Sequence, residues 1–180
     1  ILAAWLAKVG CRMVNVYGST ETLYGCVGYR LDLGTPETIG TTGRLLEHFE
    51  ATLLNDEGVE VPEGDPGVLH VRGRAVARFY WDNPEWSEKT MLPGGWFKTG
   101  DLFTSQGGLL YFMGRNDDML KVGGMWVVPM RVEDTLLTHP AVRECAVTGG
   151  ISGGLTHVLA HVVPATGVPV GPELVGELRR

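Results

Sequence analysis

The sequence predicts a mixed α+β protein: the end of an α/β subdomain, a small antiparallel β-barrel subdomain, and the start of a small α+β C-terminal domain. The first 18 residues have the helix-then-strand order of an α/β unit. From about Thr35, short apolar runs are broken by NDEG and PEGDPG, which are typical of tight turns. After Arg115 the pattern changes again to a helix and strands. The predicted parts are residues 1–34, 35–115 and 116–180.

Local signals predict the individual elements in order. ILAAWLAKVG has the spacing of an amphipathic helix, and CRMVNVYG is typical of a buried strand that ends at Gly18. NPEWSEKTM predicts a short helix with Asn83 as its cap and Pro84 at its first position. GGWFKTGDLFTSQGGLLYFMGR predicts two strands around the SQGG turn. The remaining sequence predicts a helix that stops near Pro140, a strand from about Val142, a second strand at HVLAHVVP, and a helix that begins at GPELVGELRR.

Composition indicates a folded protein and excludes some functions. Of 180 residues, 44% are apolar and 8% aromatic, which is enough for a globular core. Fifteen basic and 21 acidic residues give a net charge of -6 with no long run of one sign, so we expect no nucleic-acid partner. No stretch reaches the roughly 18 to 20 apolar residues of a membrane span, so we expect no membrane partner. An odd, widely spaced set of cysteines predicts reduced thiols in a cytoplasmic protein: Cys11, Cys26 and Cys145.

The stretch YGSTE could form either of two structures. The hydroxyls of Ser19 and Thr20, together with backbone N–H groups after a glycine, suit phosphate oxygens. Glu21 then suits Mg²⁺, which prefers oxygen ligands and shares them with substrate phosphates. Alternatively, Ser19 or Thr20 caps a helix that has Glu21 in its first turn.

Two later stretches also carry candidate chemistry. In GGWFKTGD, the Asp101 carboxylate after a Thr-Gly turn suits bidentate hydrogen bonding to a ribose diol, although an aspartate in a hairpin turn is the alternative. In GRNDDMLKVGG, the planar fork of Arg115 matches phosphate oxygens, and Gly123 and Gly124 permit unusual backbone angles. A charged linker with a glycine turn is the alternative for this third stretch.

In this order, the three stretches resemble core motifs of the adenylate-forming superfamily, which includes acyl- and aryl-CoA synthetases, luciferases and peptide-synthetase adenylation domains. The similarity extends through GTTGRLL, GDPGVLHVRG and HPAVRECAVTG, so it covers nearly the whole chain. DDMLKVGGMWVVP followed by VED is most similar to benzoate- and other aryl-CoA ligases. The resemblance implies an ATP-dependent carboxylic acid:CoA ligase, an acid–thiol ligase that forms an acyl-adenylate and then an acyl-CoA thioester. Its implied acid is aromatic, such as benzoate.

The resemblance also implies roles for individual residues. It assigns catalysis to Thr20 and Glu21, Mg²⁺ binding to Glu21, and a hinge between two domain orientations to Asp117. It assigns the walls of the acid pocket to Leu23, Tyr24 and Gly25, for which ordinary core packing is the alternative. It assigns cofactor binding, meaning ATP or AMP and the pantetheine arm of coenzyme A, to a larger set: Tyr17, Gly18, Ser19, Thr20, Asp101, Arg115, Gly123 and Gly124. Within that set, Tyr17 is implied to pack on adenine and Asp101 to bind ribose.

Two elements of the family are not in this sequence. The glycine- and hydroxyl-rich phosphate loop would precede Ile1, and the catalytic lysine would follow Arg180. GTTGRLL opens the β region and Lys121 belongs to the hinge motif, so neither is a substitute. The chain also begins with isoleucine inside a helical pattern. We therefore expect a piece of a longer ligase that is inactive alone and has the remainder of the ligase chain as its partner.

Two other functions stay open at this point. The first is an adenylation domain that loads a carrier protein, which transfer assays with coenzyme A and with a carrier would distinguish. The second is a non-catalytic nucleotide-binding remnant, in which the barrel is kept as a binding or scaffolding module. Alanine at Asp101 and at Glu21 would leave nucleotide affinity unchanged if the site were vestigial.

Overall fold

The computed structural model describes residues 2–9, 14–30 and 40–179. The chain forms two compact units, residues 1–113 and 114–180. The predicted mixed α+β class is confirmed, with strands outnumbering helices among the described residues. The finer division into residues 1–34, 35–115 and 116–180 stays a prediction. Within the described ranges, no helix has the length and apolar character needed to cross a membrane.

The first unit begins with a helix and a three-stranded antiparallel sheet. Helix α1 is Leu2–Val9, and strands β1 (Val14–Tyr17), β2 (Val27–Arg30) and β3 (Arg44–Leu45) follow in the order β1-β2-β3. The prediction of a buried first strand is wrong, because Val14 and Val16 are 59% and 47% exposed. Strand β1 alternates exposed and half-buried residues, which is typical of a strand covered on one face. Residues 11–13 of that predicted strand and 35–39 of the predicted β region lie outside the described residues.

A second, five-stranded antiparallel sheet contains most of the core of this unit. Its strands are β4 (Phe49–Leu54), β5 (Gly67–Gly73), β6 (Met91–Leu92), β7 (Trp96–Gln106) and β8 (Leu109–Arg115). Their order is β4-β5-β7-β6, and β8 also pairs with β7. The backbone of Leu110 in β8 donates to the carbonyl of Gly43 at 2.8 Å, which curls the sheet back towards β3. This curled half-barrel corresponds to the predicted β-barrel region.

Two local predictions in this unit are confirmed. Helix α2 spans Pro84–Thr90, and the side chain of Asn83 caps it by accepting a hydrogen bond from the backbone of Trp86 at 3.1 Å. The β7–β8 turn contains Gly107 and Gly108 with φ of 58° and 73°, the angles that a two-residue primed turn requires. Buried side chains from both sheets form the core: Cys26, Val27, Leu53, Leu69, Val71, Phe97, Phe103 and Leu110.

In the second unit the elements from Pro129 onward follow the predicted order, and a short hairpin that was not predicted precedes them. Strands β9 (Leu120–Val122) and β10 (Met125–Val127) form the hairpin. Helix α3 (Pro129–Leu137) follows, and strands β11 (Val142–Ser152) and β12 (Leu155–Pro164) then pair antiparallel. The last element is helix α4 (Pro172–Leu178). The predicted end of α3 before Pro140 is confirmed, as are the two strands and the final helix.

The described cysteines are free thiols. Cys26 is fully buried and burial raises its pKa to about 11, so the thiol is protonated at neutral pH. Cys145 is half-buried and is also free. Cys11 lies outside the described residues.

A side-chain hydrogen bond of Glu133 connects α3 to β11. Its Oε1 accepts a hydrogen bond from the backbone N–H of Val147 at 2.7 Å, and Val147 is only 7% exposed. In Glu133→Ala this buried N–H loses its acceptor, so we expect the free energy of unfolding, measured by urea denaturation, to fall by about 1–3 kcal/mol. Asp134→Ala, at an exposed position on the same helix, is the matched control and should change it by less than about 0.5 kcal/mol. Equal losses in both variants would contradict the assigned role of Glu133.

Candidate functional site

The loop between β1 and β2 is closely packed against itself. A Cβ added at Gly18 would lie 1.8 Å from the carbonyl oxygen of Tyr24. A Cβ added at Gly25 would lie 2.0 Å from Cγ1 of Val16. Both distances are far below van der Waals contact, so the path of this loop requires glycine at both positions.

The Ser19 side chain precedes a 3₁₀ turn at Thr20–Thr22 but does not cap it. The Thr22 hydroxyl instead accepts from the backbone N–H of Ser19 at 3.0 Å and donates to the Ser19 carbonyl at 3.1 Å. The Oγ of Ser19 is buried and has no hydrogen-bond partner among the described residues. A buried hydroxyl without a partner costs about 1–3 kcal/mol, so this oxygen suits a polar ligand better than it suits a helix cap.

Glu21 is held at two points by the segment that precedes α2. Its carboxylate Oε1 accepts a hydrogen bond from the hydroxyl of Tyr80 at 2.5 Å. Its backbone carbonyl accepts from the N–H of Ala77 at 2.7 Å. Burial, followed by the neighbouring Glu21 carboxylate, raises the pKa of Tyr80, so its hydroxyl remains a donor across the neutral range.

Asp101 is positioned by Thr99 and Tyr17. The Thr99 hydroxyl donates to the carbonyl of Leu69 at 2.9 Å and accepts from the backbone N–H of Asp101 at 3.0 Å. The Tyr17 hydroxyl donates to Oδ2 of Asp101 at 2.5 Å. Burial, reinforced by the Asp101 carboxylate, raises the pKa of Tyr17 far above its ordinary value, so this tyrosine is a neutral donor. The structure thus joins two predicted site residues that are 84 positions apart.

The ring of Tyr17 packs on two phenylalanines of the curled sheet. Its centroid lies 4.8 Å from that of Phe103 in an edge-to-face contact and 6.2 Å from that of Phe112. These contacts fix the end of β1 against β7 and β8. The packing of the Tyr17 ring against adenine stays a prediction.

The predicted acid-pocket residues differ in exposure. Leu23 and Tyr24 are 71% and 69% exposed, so ordinary core packing, the alternative for this group, is wrong for both. Leu23 also has φ of 69°, a strained angle for a residue with a branched side chain. Gly25 is buried. Their predicted contact with an acid substrate stays untested.

The remaining predicted residues lie in the second unit. Arg115 forms an ion pair with Asp117, with Nη2 3.5 Å from Oδ2, and both side chains are largely exposed. Such exposed pairs contribute about 0–1 kcal/mol, so this pair adds little to stability. Gly123 and Gly124 form the β9–β10 turn with φ of 58° and 86°. The nucleotide, hinge and coenzyme A roles of these residues stay predictions.

The sequence reasoning missed Tyr80 and Thr99. Tyr80 is 59 positions from Glu21, and no local pattern links a tyrosine before a helix cap to a carboxylate in a distant loop. Thr99 lies inside the GGWFKTGD stretch, and its position two residues before Asp101 was the available signal for its orienting role.

The donor set of the β1–β2 loop is suitable for Mg²⁺. Within the described ranges, no group of three or more His, Cys, Asp or Glu side chains is arranged to hold a metal ion. Mg²⁺ does not need such a cluster, because it often binds through one or two carboxylates plus substrate phosphates and water. The Glu21 carboxylate and the Ser19 and Thr20 hydroxyls supply only hard oxygen donors, which this ion prefers.

The geometry shows an Asp101 carboxylate held by the Tyr17 hydroxyl, a glycine loop that carries hydroxyls, and a Glu21 carboxylate held by Tyr80. The profile of the family described as AMP-binding enzyme matches residues 1–81. Residues 1–81 therefore match the AMP-binding enzyme family, and the resemblance seen in the sequence is confirmed.

Three relatives give the family more detail. The chain is 35% identical to benzoate–CoA ligase of Thauera aromatica over 147 residues, 81% of this chain and 27% of that ligase. It is 34% identical to a long-chain-fatty-acid–CoA ligase of Escherichia coli over 152 residues, 83% of this chain and 26% of that ligase. It superposes on the crystal structure of the anthranilate CoA ligase AuaEII in complex with anthranoyl-AMP with a TM-score of 0.82 and 35% identity, covering 98% of this chain and 34% of that one. The chain thus spans about a quarter to a third of the length of these proteins.

Proposed function

We propose that this chain is part of an ATP-dependent carboxylic acid–CoA ligase that acts on an aromatic acid such as benzoate. The observation that supports the proposal most is the position of Asp101: its backbone N–H is held by Thr99, and its carboxylate accepts from the hydroxyl of Tyr17 at the end of β1. The identity to the Thauera aromatica ligase supports an aromatic acid. The identity to the fatty-acid ligase is similar, so it supports the acid–CoA ligase class but does not distinguish an aromatic from a fatty acid.

In this proposal Asp101 binds the ribose of ATP and of the acyl-adenylate. An ionised carboxylate accepts hydrogen bonds only, and two adjacent ribose hydroxyls can each donate one. Thr99 holds the backbone of Asp101 and the Tyr17 hydroxyl holds its carboxylate, so the carboxylate is oriented before the nucleotide arrives. Such preorganisation lowers the entropy cost of binding.

Ser19, Thr20 and Glu21 act at the phosphates. The buried hydroxyl of Ser19 gains a partner when a phosphate oxygen is present, and Thr20 adds a second hydroxyl. Glu21 repels phosphate unless a cation lies between them, so it binds Mg²⁺. When bound, Mg²⁺ neutralises charge on the phosphates during attack by the acid.

Coenzyme A and the rest of the ligase complete the proposal. Arg115 contacts phosphate or ribose, Asp117 is the hinge between the two half-reactions, and Gly123 with Gly124 lies along the pantetheine arm. Leu23, Tyr24 and Gly25 contribute to the acid pocket. The remainder of the ligase chain supplies the phosphate loop and the catalytic lysine, and the free thiols of Cys26 and Cys145 support a cytoplasmic location.

A grafted ligase tests this proposal. Residues 1–180 replace the matching segment of the Thauera aromatica benzoate–CoA ligase, and AMP release is measured with benzoate and ATP, with coenzyme A or a carrier protein as acceptor. We expect benzoate-dependent AMP release and benzoyl-CoA from the graft, and no acid-dependent AMP from the 180-residue chain alone.

Three results would contradict parts of the proposal. A graft that unfolds cooperatively but binds no ATP would indicate a vestigial site. Transfer to the carrier but not to coenzyme A would indicate a carrier-loading adenylation domain. Robust turnover by the 180-residue chain alone would contradict its dependence on the rest of the ligase.

A further inference from the structure

We propose that Tyr80 is a positioning residue for the metal ligand Glu21, so that the segment before α2 sets the metal affinity of the nucleotide site. This inference rests on the proposed function, because it takes Glu21 as the Mg²⁺ ligand. It adds a residue outside the three sequence motifs.

The first support is the contact itself. The Tyr80 hydroxyl donates a hydrogen bond to Oε1 of Glu21 at 2.5 Å, so it reaches the carboxylate group itself. The N–H of Ala77 donates to the backbone carbonyl of the same glutamate at 2.7 Å. Backbone and side chain of Glu21 are therefore both held by one four-residue segment.

The second support is that Tyr80 is itself held in place. Its backbone N–H donates to Oγ of Ser87 at 2.8 Å, and its carbonyl accepts from the N–H of Asn83 at 3.4 Å. Ser87 in turn donates to the carbonyl of Asn83 at 2.7 Å within the capped first turn of α2. Tyr80 is therefore held by the first turn of α2 and in turn holds the Glu21 carboxylate.

The third support is the general behaviour of metal ligands. Carboxylates that bind metals are usually hydrogen-bonded by a second residue, which fixes the direction of their oxygens. A glutamate has three rotatable side-chain bonds, and an anchored oxygen removes much of that freedom before the ion binds. Loss of such an outer partner typically lowers metal affinity by about 10- to 100-fold.

The test measures ATP binding by the full 180-residue chain with Mg²⁺ and with EDTA, by NMR titration. The quantity compared is the ratio of the two ATP affinities. We expect Glu21→Gln to abolish the Mg²⁺-dependent gain, and Tyr80→Phe to reduce it about 10-fold while leaving ATP affinity in EDTA unchanged. The matched control is Tyr29→Phe, which removes a buried hydroxyl that has no hydrogen-bond partner in the described part of the chain.

The outcomes separate this inference from the proposed function. A loss of the Mg²⁺-dependent gain in Glu21→Gln but not in Tyr80→Phe overturns the role of Tyr80 and leaves the function intact. No Mg²⁺-dependent gain in the unmodified chain overturns the metal role of Glu21, and the role of Tyr80 with it. Equal losses of ATP affinity with Mg²⁺ and with EDTA in Tyr80→Phe would indicate a structural role only and also overturn the inference.

Discussion

Replacing Asp101 with alanine in the grafted ligase is expected to lower its affinity for ATP by about 100-fold or more. The change removes the proposed acceptor of two ribose hydrogen bonds, and hydrogen bonds to charged groups contribute about 1.5–3 kcal/mol each. It also removes the acceptor of the Tyr17 hydroxyl. The measurement is ATP binding by calorimetry, together with kcat/KM for ATP.

Two further variants separate the ribose contact from local structure. Asp101→Asn can still accept from Tyr17 but carries no charge, so we expect an intermediate loss of ATP affinity. Asp56→Ala changes an exposed turn aspartate of the same unit and should bind ATP like the unmodified graft. If Asp101→Ala binds ATP as tightly as Asp56→Ala, the site does not hold a nucleotide through this carboxylate.

Gly18→Ala is expected to have the largest effect on stability. The added Cβ would meet the carbonyl oxygen of Tyr24 at 1.8 Å, and the contact is with backbone rather than with a flexible side chain. The loop must therefore move, which we expect to lower the free energy of unfolding of the 180-residue chain by about 3 kcal/mol or more. Urea denaturation followed by tryptophan fluorescence measures this loss.

The control for this prediction is Gly176→Ala in α4. A Cβ there has no neighbouring atom within 4 Å, and alanine favours a helix over glycine by about 0.5–1 kcal/mol. We expect this variant to be as stable as the unmodified chain or slightly more stable. A Gly18→Ala chain with unchanged stability would show that the loop can adopt another path at little cost.

Local chemistry made several elements predictable from sequence. Asn83 and Pro84 define the start of α2 without help from the rest of the chain, because a cap and a first-turn proline act within one helical turn. Gly107 and Gly108 likewise specify the β7–β8 turn, since few other residues adopt its left-handed angles.

The parts that sequence could not predict depend on distant contacts. The exposure of β1 depends on which faces of the sheet are covered, which the apolar residues of CRMVNVYG do not encode. The hydrogen bonds Tyr17–Asp101 and Tyr80–Glu21 join residues 84 and 59 positions apart. Motifs predicted Tyr17 and both carboxylates, Glu21 and Asp101, but Tyr80 and the hydrogen bonds that the two tyrosines make became visible only through the fold.

The most direct test of the central claim is an AMP titration of the isotopically labelled 180-residue chain by NMR. The account predicts saturable shift changes concentrated in the YGSTE loop and around Asp101, with weaker binding in Asp101→Ala than in Asp56→Ala. Shifts that are absent, or scattered over the surface without saturation, would contradict the claim that these residues form a nucleotide site.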